Sequence, residues 1–481
     1  MRLSTRIAYN TIIQVVSKVI ATGLGLVAVA LMTRYLGQVG FGQYTTIFAF
    51  LSFFGIMADL GLTLVTVQMI SQLGINQDKI LGNLFSLRLV SAVIFLGLAP
   101  LVVFFFPYDP VVKIGVSIAT LSFFFIALNQ ILVGLFQKNL RMDKVSIAEI
   151  VSRIILVLGV IIAVKIDNGL IGIVIATVMA SLINFLLHYI FSLKFTRLKF
   201  CFDFYVWKEI MQKSWPLALT IVFNLVYLRA DILILSLIKS QAEVGIYGAA
   251  YKVIDVLITL PFMFAGIILP VLTFSWAEKN IAQFKKILQK SFDVMVIFAL
   301  PLAVGTQVVA KPVMTTIAGK EFIVSGPVLR ILIMAASIIF LGVMFSHAIV
   351  AINKQRKIIS AYIFVAITAL IGYFIFIPRY SYFGAAWVTI YSELAIALAS
   401  FYLVWKYTRF IPRIKVFLRS LGASITMGIM LFFLSREISI SGINLLLVLG
   451  LAMVFYFVAL YLFKGLSKQD ILDLFNKKVN S

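Results

Sequence analysis

LVSAVIFLGLAPLVVFFF, residues 89–106, decides the fold. Its apolar side chains follow one another without the every-second-residue alternation of a membrane barrel strand. The run approaches the roughly 20 apolar residues that carry a helix across the hydrocarbon core of a bilayer. The whole chain has the same character: 481 residues, 62% apolar and 12% charged, with mean hydropathy +1.10. Soluble domains are about 45–50% apolar and about 25% charged, so a water-soluble globular fold is excluded. The 43 Phe and 18 Tyr exclude a disordered chain, which cannot carry so much apolar surface.

Comparable runs predict helical spans at about 8–33, 41–71, 80–106, 111–136, 145–165 and 169–193, then 214–238, 246–275, 287–309, 326–352, 357–377 and 382–405, and finally 415–434 and 442–463. The expected fold is therefore an all-α polytopic membrane protein of about 14 transmembrane helices. The first six spans make an N-terminal bundle, 1–193, and a basic connector follows at 194–213. A second six-helix bundle occupies 214–406, and 407–481 carries two extra spans and a tail. Arg2 and Arg6 precede the first apolar run as in a signal peptide. Asn10, Gln14 and Lys18 interrupt that run and no small-residue cleavage site follows, so it reads as a retained span.

The charge is unusual: 41 Lys+Arg against 18 Asp+Glu, a net +23. Counted by alternate loops, 27 bases fall on the side of the termini and 9 on the other. The positive-inside rule then places both termini in the cytoplasm, and the membrane expected for such a chain is the plasma (inner) membrane. Charge spent on topology leaves no case for a nucleic-acid partner. The single cysteine, Cys201, excludes a disulfide framework and reads as an apolar filler.

The chain also repeats. FGQY at 41–44 returns as VGIY at 244–247, and APL at 99–101 as LPL at 300–302. Arg141 and Gly169 match Arg356 and Gly384 at a common offset of 215. Because each block holds an even number of spans, the halves are expected to be parallel repeats around a central cavity. RYLGQVGFGQYTTIFAFLSFFGIMADLGL (34–62), RADILILSLIKSQAEVGIYGAAYKV (229–253) and GPVLRIL (326–332) resemble the Wzx-type polysaccharide flippases. These belong to the multidrug/oligosaccharidyl-lipid/polysaccharide exporter (MOP) superfamily. The resemblance covers essentially the whole chain. It implies alternating-access transfer of a polyprenyl-diphosphate-linked oligosaccharide to the outer leaflet for cell-surface polysaccharide synthesis. Polymerases or glycosyltransferases of the same pathway are the implied protein partners, beside membrane lipid.

Ionisable side chains inside a bilayer cost at least about 2.5–3.5 kcal/mol and face a cavity or a partner. Lys18 shares a helical face with Gln14 and Asn10, as a cavity wall or a contact between bundles. Arg229 and Asp231 are two residues apart and cannot pair within their helix. Arg229 is the candidate for a diphosphate, through bidentate hydrogen bonds, with a structural bridge to Asp59 or Glu393 as the alternative. Lys252 and Asp255 stand at pairing distance, as do Glu149 and Arg153, and both are read as local ion pairs. Arg88 and Asp293 lie near the cytoplasmic boundary and are expected to snorkel. Substrate-binding candidates are thus Lys18, Arg229, Lys252 and Arg88.

Asp59 and Glu393 have no base at helical pairing distance and are read as protonated or cation-binding. With Asp231 and Asp255 they are the ion-coupling candidates, for a proton or a sodium ion. His347, near the inner end of the tenth span, reads as a satisfied histidine more than a proton relay, with no second histidine nearby, the other being His188. Pro100 and Pro301 occupy corresponding third spans and Pro261 and Pro270 interrupt the eighth. They are hinge candidates, or static kinks.

No GxxxxGK[ST], HExxH, CxxC or GxSxG motif is present, so no catalytic residues, metal ligands or cofactor are expected and the chain is not read as an enzyme. The competing readings are an ion-coupled multidrug antiporter of the same superfamily and a membrane glycosyltransferase or polymerase. The first favours a cavity of acids and aromatics. The second needs a large outer loop that this chain lacks.

Overall fold

The computed structural model describes the backbone of residues 3–70, 76–196, 199–437 and 442–465, with side chains from residue 13 except at 64, 216, 217, 219–221, 224–228 and 443. The side chains of Arg2, Arg6, Asn10 and Arg197 and the tail after 465 lie outside the described residues. Two compact units result, one of residues 1–248 with 370–385, the other of 249–369 with 386–481. Among the described residues every regular element is helical.

The first unit holds α1 (Leu3–Asp59), α2 (Leu62–Ile70), α3 (Gln77–Val102), α4 (Pro110–Lys138), α5 (Met142–Lys165), α6 (Gly169–Ser192) and α7 (Phe204–Ile238). It ends in the first turns of α8 (Gln241–Ala277). At 57 residues, a straight α1 would run about 85 Å, far beyond a bilayer core of about 30 Å. It folds back at Gly37, whose φ of 63° and ψ of −171° suit a residue without a Cβ. The first arm runs alongside α5 in the same sense, joined by Ser17 to Ser146 (2.7 Å) and Tyr35 to Asp167 (2.7 Å). The second arm runs alongside α4, from the Gln43–Asp109 bond (3.3 Å) to the Phe48–Phe123 ring contact, and α2 continues the line with Thr63 against Gln130. Because α4 and α5 form a hairpin, the two arms of α1 are antiparallel. The loop expected near 34–40 is thus a single-residue reversal.

α1 stops at Asp59, where Leu60 and Gly61 take positive φ. The Asp59 carboxylate then caps α2, accepting from Thr63 N (3.4 Å) and Thr63 Oγ1 (2.5 Å). Asn76 caps α3 through Lys79 N (3.1 Å), and Asp203 caps α7 through Tyr205 N (3.1 Å). Lys79 Nζ stands 2.7 Å from Asp203, and this ammonium holds the exposed Asp203 carboxyl below the usual carboxylate range. One apolar core joins α2, α3, α4 and α7 around Leu62, Leu84, Ile131, Leu135 and Ile210.

The repeated motifs meet. A Cβ on Gly42 would stand 1.7 Å from Gln241 O, and one on Gly245 would stand 2.0 Å from Gln38 O. Gln38 and Gln241 share the offset of 203 that relates Gly42 to Gly245, so matched residues face each other across a crossing only glycine permits. Thr46 Oγ1 reinforces it by donating to Gln241 Oε1 at 2.8 Å.

The second unit contains the rest of α8, then α9 (Ile281–Ala318), α10 (Ser325–Ala351), most of α11 (Gln355–Thr408), α12 (Lys415–Glu437) and α13 (Ile443–Leu462). α11 also folds back. Tyr391 OH donates to Thr368 Oγ1 at 2.9 Å, although 23 residues of straight helix would separate them by about 35 Å. The reversal is at Ser381, with φ 50° and ψ −135°. The apolar core joins α8, α9, α10 and α11 around Leu272, Phe284, Val296, Phe340 and Val404. The C-terminal pair docks through Tyr456, whose hydroxyl donates to Ile297 O at 2.8 Å and meets Ser420 Oγ at 2.6 Å.

Among the described residues, eleven helices are long and apolar enough to cross a membrane. The two fold-backs and the 35-residue α7 bring that number to the fourteen rods expected. Large apolar side chains are bare on the outside, Phe105 at 88% and Leu462 at 71%. Such surface belongs against lipid. The chain is a multi-pass membrane protein.

Candidate functional site

The first unit encloses two adjoining polar cavities. The larger, about 660 Å³, is walled by both arms of α1 and by α2, α4, α5 and α6. The smaller, about 420 Å³, shares Thr63, Ile126 and Gln130 with it and reaches Asp59 and Arg88. Polar side chains from separate helices meet here because no water satisfies them in a bilayer core.

In the larger cavity Lys18 Nζ donates to Glu149 Oε1 at 2.8 Å. The expected Glu149–Arg153 pair is therefore corrected: an acid one turn away on the same helix loses to an ammonium delivered from α1. Arg153 also lines this cavity and makes no salt bridge among the described residues. Its guanidinium passes over Gly25, where a Cβ would lie 3.8 Å from Nη1. Asn129 Nδ2 donates to Asn184 Oδ1 at 2.5 Å, leaving Asn129 Oδ1 buried with no partner. His188 Nδ1 bonds Asn184 O at 2.8 Å, and its Nε2 is likewise buried without a partner. His188 is therefore only half satisfied. An unneutralised guanidinium from α5, an amide oxygen from α4 and a ring nitrogen from α6 line the same cavity, groups suited to a phosphate and to hydroxyl or amide substituents.

In the smaller cavity Arg88 is 2% exposed and bonds Asp59 through Nη1, while its Nε donates to Ala127 O at 3.0 Å. Two expectations fall together. Arg88 does not snorkel, and Asp59 does not lack a base. Each completes the other from a different helix, which satisfies both charges away from water. Thr63 links this pair to Gln130.

The remaining candidates lie elsewhere. Arg229 is half-buried on α7 and lines neither cavity. Asp231 is fully buried and accepts from Tyr247 OH at 2.6 Å, the tyrosine of the second repeat motif. Lys252 and Asp255 stand 3.8 Å apart on α8, as their spacing predicted. Glu393, in the second unit, is 7% exposed and its Oε1 has no hydrogen-bond partner. Pro100, Pro261, Pro270 and Pro301 all lie inside continuous helices, whereas the backbone reversals are at Gly37 and Ser381. The structure thus gathers Lys18, Arg88 and Asp59, and adds Arg153, Asn129 and His188. Sequence signalled Arg153 only as an intramembrane base, because its spacing from Glu149 made it look neutralised.

A model of the polysaccharide biosynthesis protein family matches residues 7–276. Comparison with curated proteins gives no match. Among solved structures, the lipid II flippase MurJ in an inward closed conformation superposes with a TM-score of 0.77 at 17% identity. It covers 97% of this chain and 100% of the other. An inward-facing multidrug resistance MATE transporter of the MOP superfamily gives 0.63 at 16%, covering 83% and 97%. A MOP superfamily transporter from Pyrococcus furiosus, described as having a binding pocket of reverse polarity, gives 0.59 at 13%, covering 84% and 95%. At these identities the superpositions establish the fold, and the match over more than half of the chain establishes the family. The chain belongs to the polysaccharide biosynthesis protein family and has the fold of the MOP-superfamily transporters.

Proposed function

We infer that the protein is a flippase for a polyprenyl-diphosphate-linked oligosaccharide, moving it from the cytoplasmic to the outer leaflet of the plasma membrane by alternating access. The observation that carries this reading is Arg153, an uncompensated guanidinium in a polar cavity of about 660 Å³ inside a membrane bundle. Of the ionisable groups on the two cavity walls, Lys18, Arg88 and Arg153 outnumber Asp59 and Glu149. That sign suits an anionic head and not the cationic cargo of a multidrug antiporter. Asn129 and His188 add hydrogen-bonding sites for the glycan end, while the lipid tail stays in the bilayer. Family membership and the fold shared with a lipid II flippase point the same way.

Energy enters through an ion in this reading. Asp59, Asp231 and Asp255 are already engaged by Arg88, Tyr247 and Lys252, so Glu393 is the acid offered to a coupling proton or sodium ion. Pro100, Pro261, Pro270 and Pro301 supply the proposed points of flexure. Both termini lie in the cytoplasm, and no catalytic step is assigned to the chain.

The test is transfer of a fluorescent polyprenyl-diphosphate oligosaccharide by purified protein in liposomes. Transfer is expected in the wild type and is strongly reduced in Arg153→Ala, with partial recovery in Arg153→Lys. No transfer of any glycan, together with export of cationic dyes, would replace this reading with the antiporter one.

A further inference from the structure

The second unit carries a different kind of cavity. A groove of about 1090 Å³ opens between α9, α10, the second arm of α11 and α12. Its floor and walls are apolar, with Met334, Trp387, Ile425, Ile429 and Phe433 all exposed. The lining includes one uncharged hydrogen-bonding side chain besides the indole of Trp387. That is Gln307, whose Nε2 is spent on Arg330 O at 3.1 Å. The wall therefore offers little to recognise a sugar.

One end of the groove is cationic. Arg330 lines it, and its Nε is buried without a hydrogen-bond partner. Arg436, in the last turn of α12, stacks over the ring of the groove residue Phe432 at 4.5 Å. Lys311 lies one turn beyond Gln307, its stem against the first turn of α10 at Gly326. Around the junction of α9 with α10 and at the end of α12, Lys311, Lys320, Arg330 and Arg436 outnumber Glu321 and Glu437. All four are among the bases that the positive-inside count leaves on the extracytoplasmic face, where they do nothing for topology.

Length identifies the occupant. Along α12 the groove extends from Leu421 to Phe433, about 18 Å of helix. This is close to the roughly 15 Å of hydrocarbon in a single leaflet. We propose that the groove is a binding site for one anionic glycerophospholipid of the outer leaflet, its acyl chains along the apolar wall and its phosphate between Arg330 and Arg436. A guanidinium with an unfilled donor and a second one fixed on a ring form a phosphate clamp. The site shares no lining residue with the polar cavities and does not depend on what the protein transports.

The test is native mass spectrometry of the full-length protein released from nanodiscs of equal phosphatidylglycerol and phosphatidylcholine. The wild type should retain one phosphatidylglycerol with at least about a tenfold preference. Arg330→Gln with Arg436→Gln should abolish that preference, and Arg379→Gln, an extracytoplasmic base of the other unit, should leave it unchanged. Arg436→Gln alone, at an exposed position, keeps the test open if the double variant does not fold. Stabilisation of the wild type by phosphatidylglycerol over phosphatidylcholine checks it without any variant. Equal retention of the two lipids, full preference in the double variant, or displacement of the phospholipid by equimolar polyprenyl phosphate would each overturn the proposal.

Discussion

The two units are both built of helices and are filled differently. In the first, charges come from different helices and complete one another inside cavities: Lys18 with Glu149, Arg88 with Asp59. In the second, the helices pack through an apolar core, a lone buried carboxylate sits at Glu393, and the large cavity is a greasy groove. A membrane charges heavily for every ionisable group, so the placement of polar groups, more than the course of the backbone, shows where a polar cargo is handled.

The contrast can be broken by removing half of a buried pair. Arg88→Met leaves the Asp59 carboxylate buried alone and should cost about 3–5 kcal/mol, read as loss of a monodisperse peak and a large fall in melting temperature. Adding Asp59→Leu should restore most of it. Wild-type stability in the single variant would mean that water reaches Arg88 and that the first unit is not dry there.

Arg153→Ala sharpens the contrast from the functional side. It should reduce glycolipid transfer roughly 10- to 100-fold, the loss of one charge-assisted contact of about 1.5–3 kcal/mol, with little change in melting temperature. Glu393→Gln in the other unit should change the dependence of transfer on the ion gradient and leave glycolipid affinity intact. The reverse pattern would exchange the roles assigned to the two units.

The helix crossing that joins the repeat motifs gives a smaller effect. Gly42→Ala should cost about 1–3 kcal/mol by overpacking, because its Cβ would enter Gln241 O. Gly23→Ala, on the other arm of the same helix and with nothing within 4 Å, should be neutral. Smallest is Asp203→Asn at the exposed Lys79 contact. The Asp203 carboxyl is depressed in the folded state, so its contribution is present above the ordinary carboxylate range and lost as pH falls through its lowered value. The melting temperatures of wild type and Asp203→Asn should therefore differ slightly at pH 7 and converge in acid.

Much of the architecture was legible because hydropathy is read one span at a time. The run at 89–106 is α-helical through Val102, fourteen rods are present, and the FGQY and VGIY segments cross at their glycines. The charge pairs were not legible. Spacing reveals partners only on the same helix face, so Lys252–Asp255 was visible while Arg88–Asp59 and Lys18–Glu149 were hidden by long separations in sequence. Glu149 shows the hazard: it had a base four residues on and chose one 131 residues away. Gly37 and Ser381 fall in the short gaps read at 34–40 and 378–381, but hydropathy could not show that each gap collapses to a single-residue reversal inside a continuous helix.

The central claim is that Arg153 receives the anionic head of the cargo. Equilibrium binding of a polyprenyl-diphosphate oligosaccharide to purified wild type and Arg153→Gln, beside a neutral-headed analogue, tests it most directly. The account predicts at least about a tenfold loss of affinity, some 1.4 kcal/mol, for the diphosphate only. Equal affinity of both proteins for the diphosphate would contradict it.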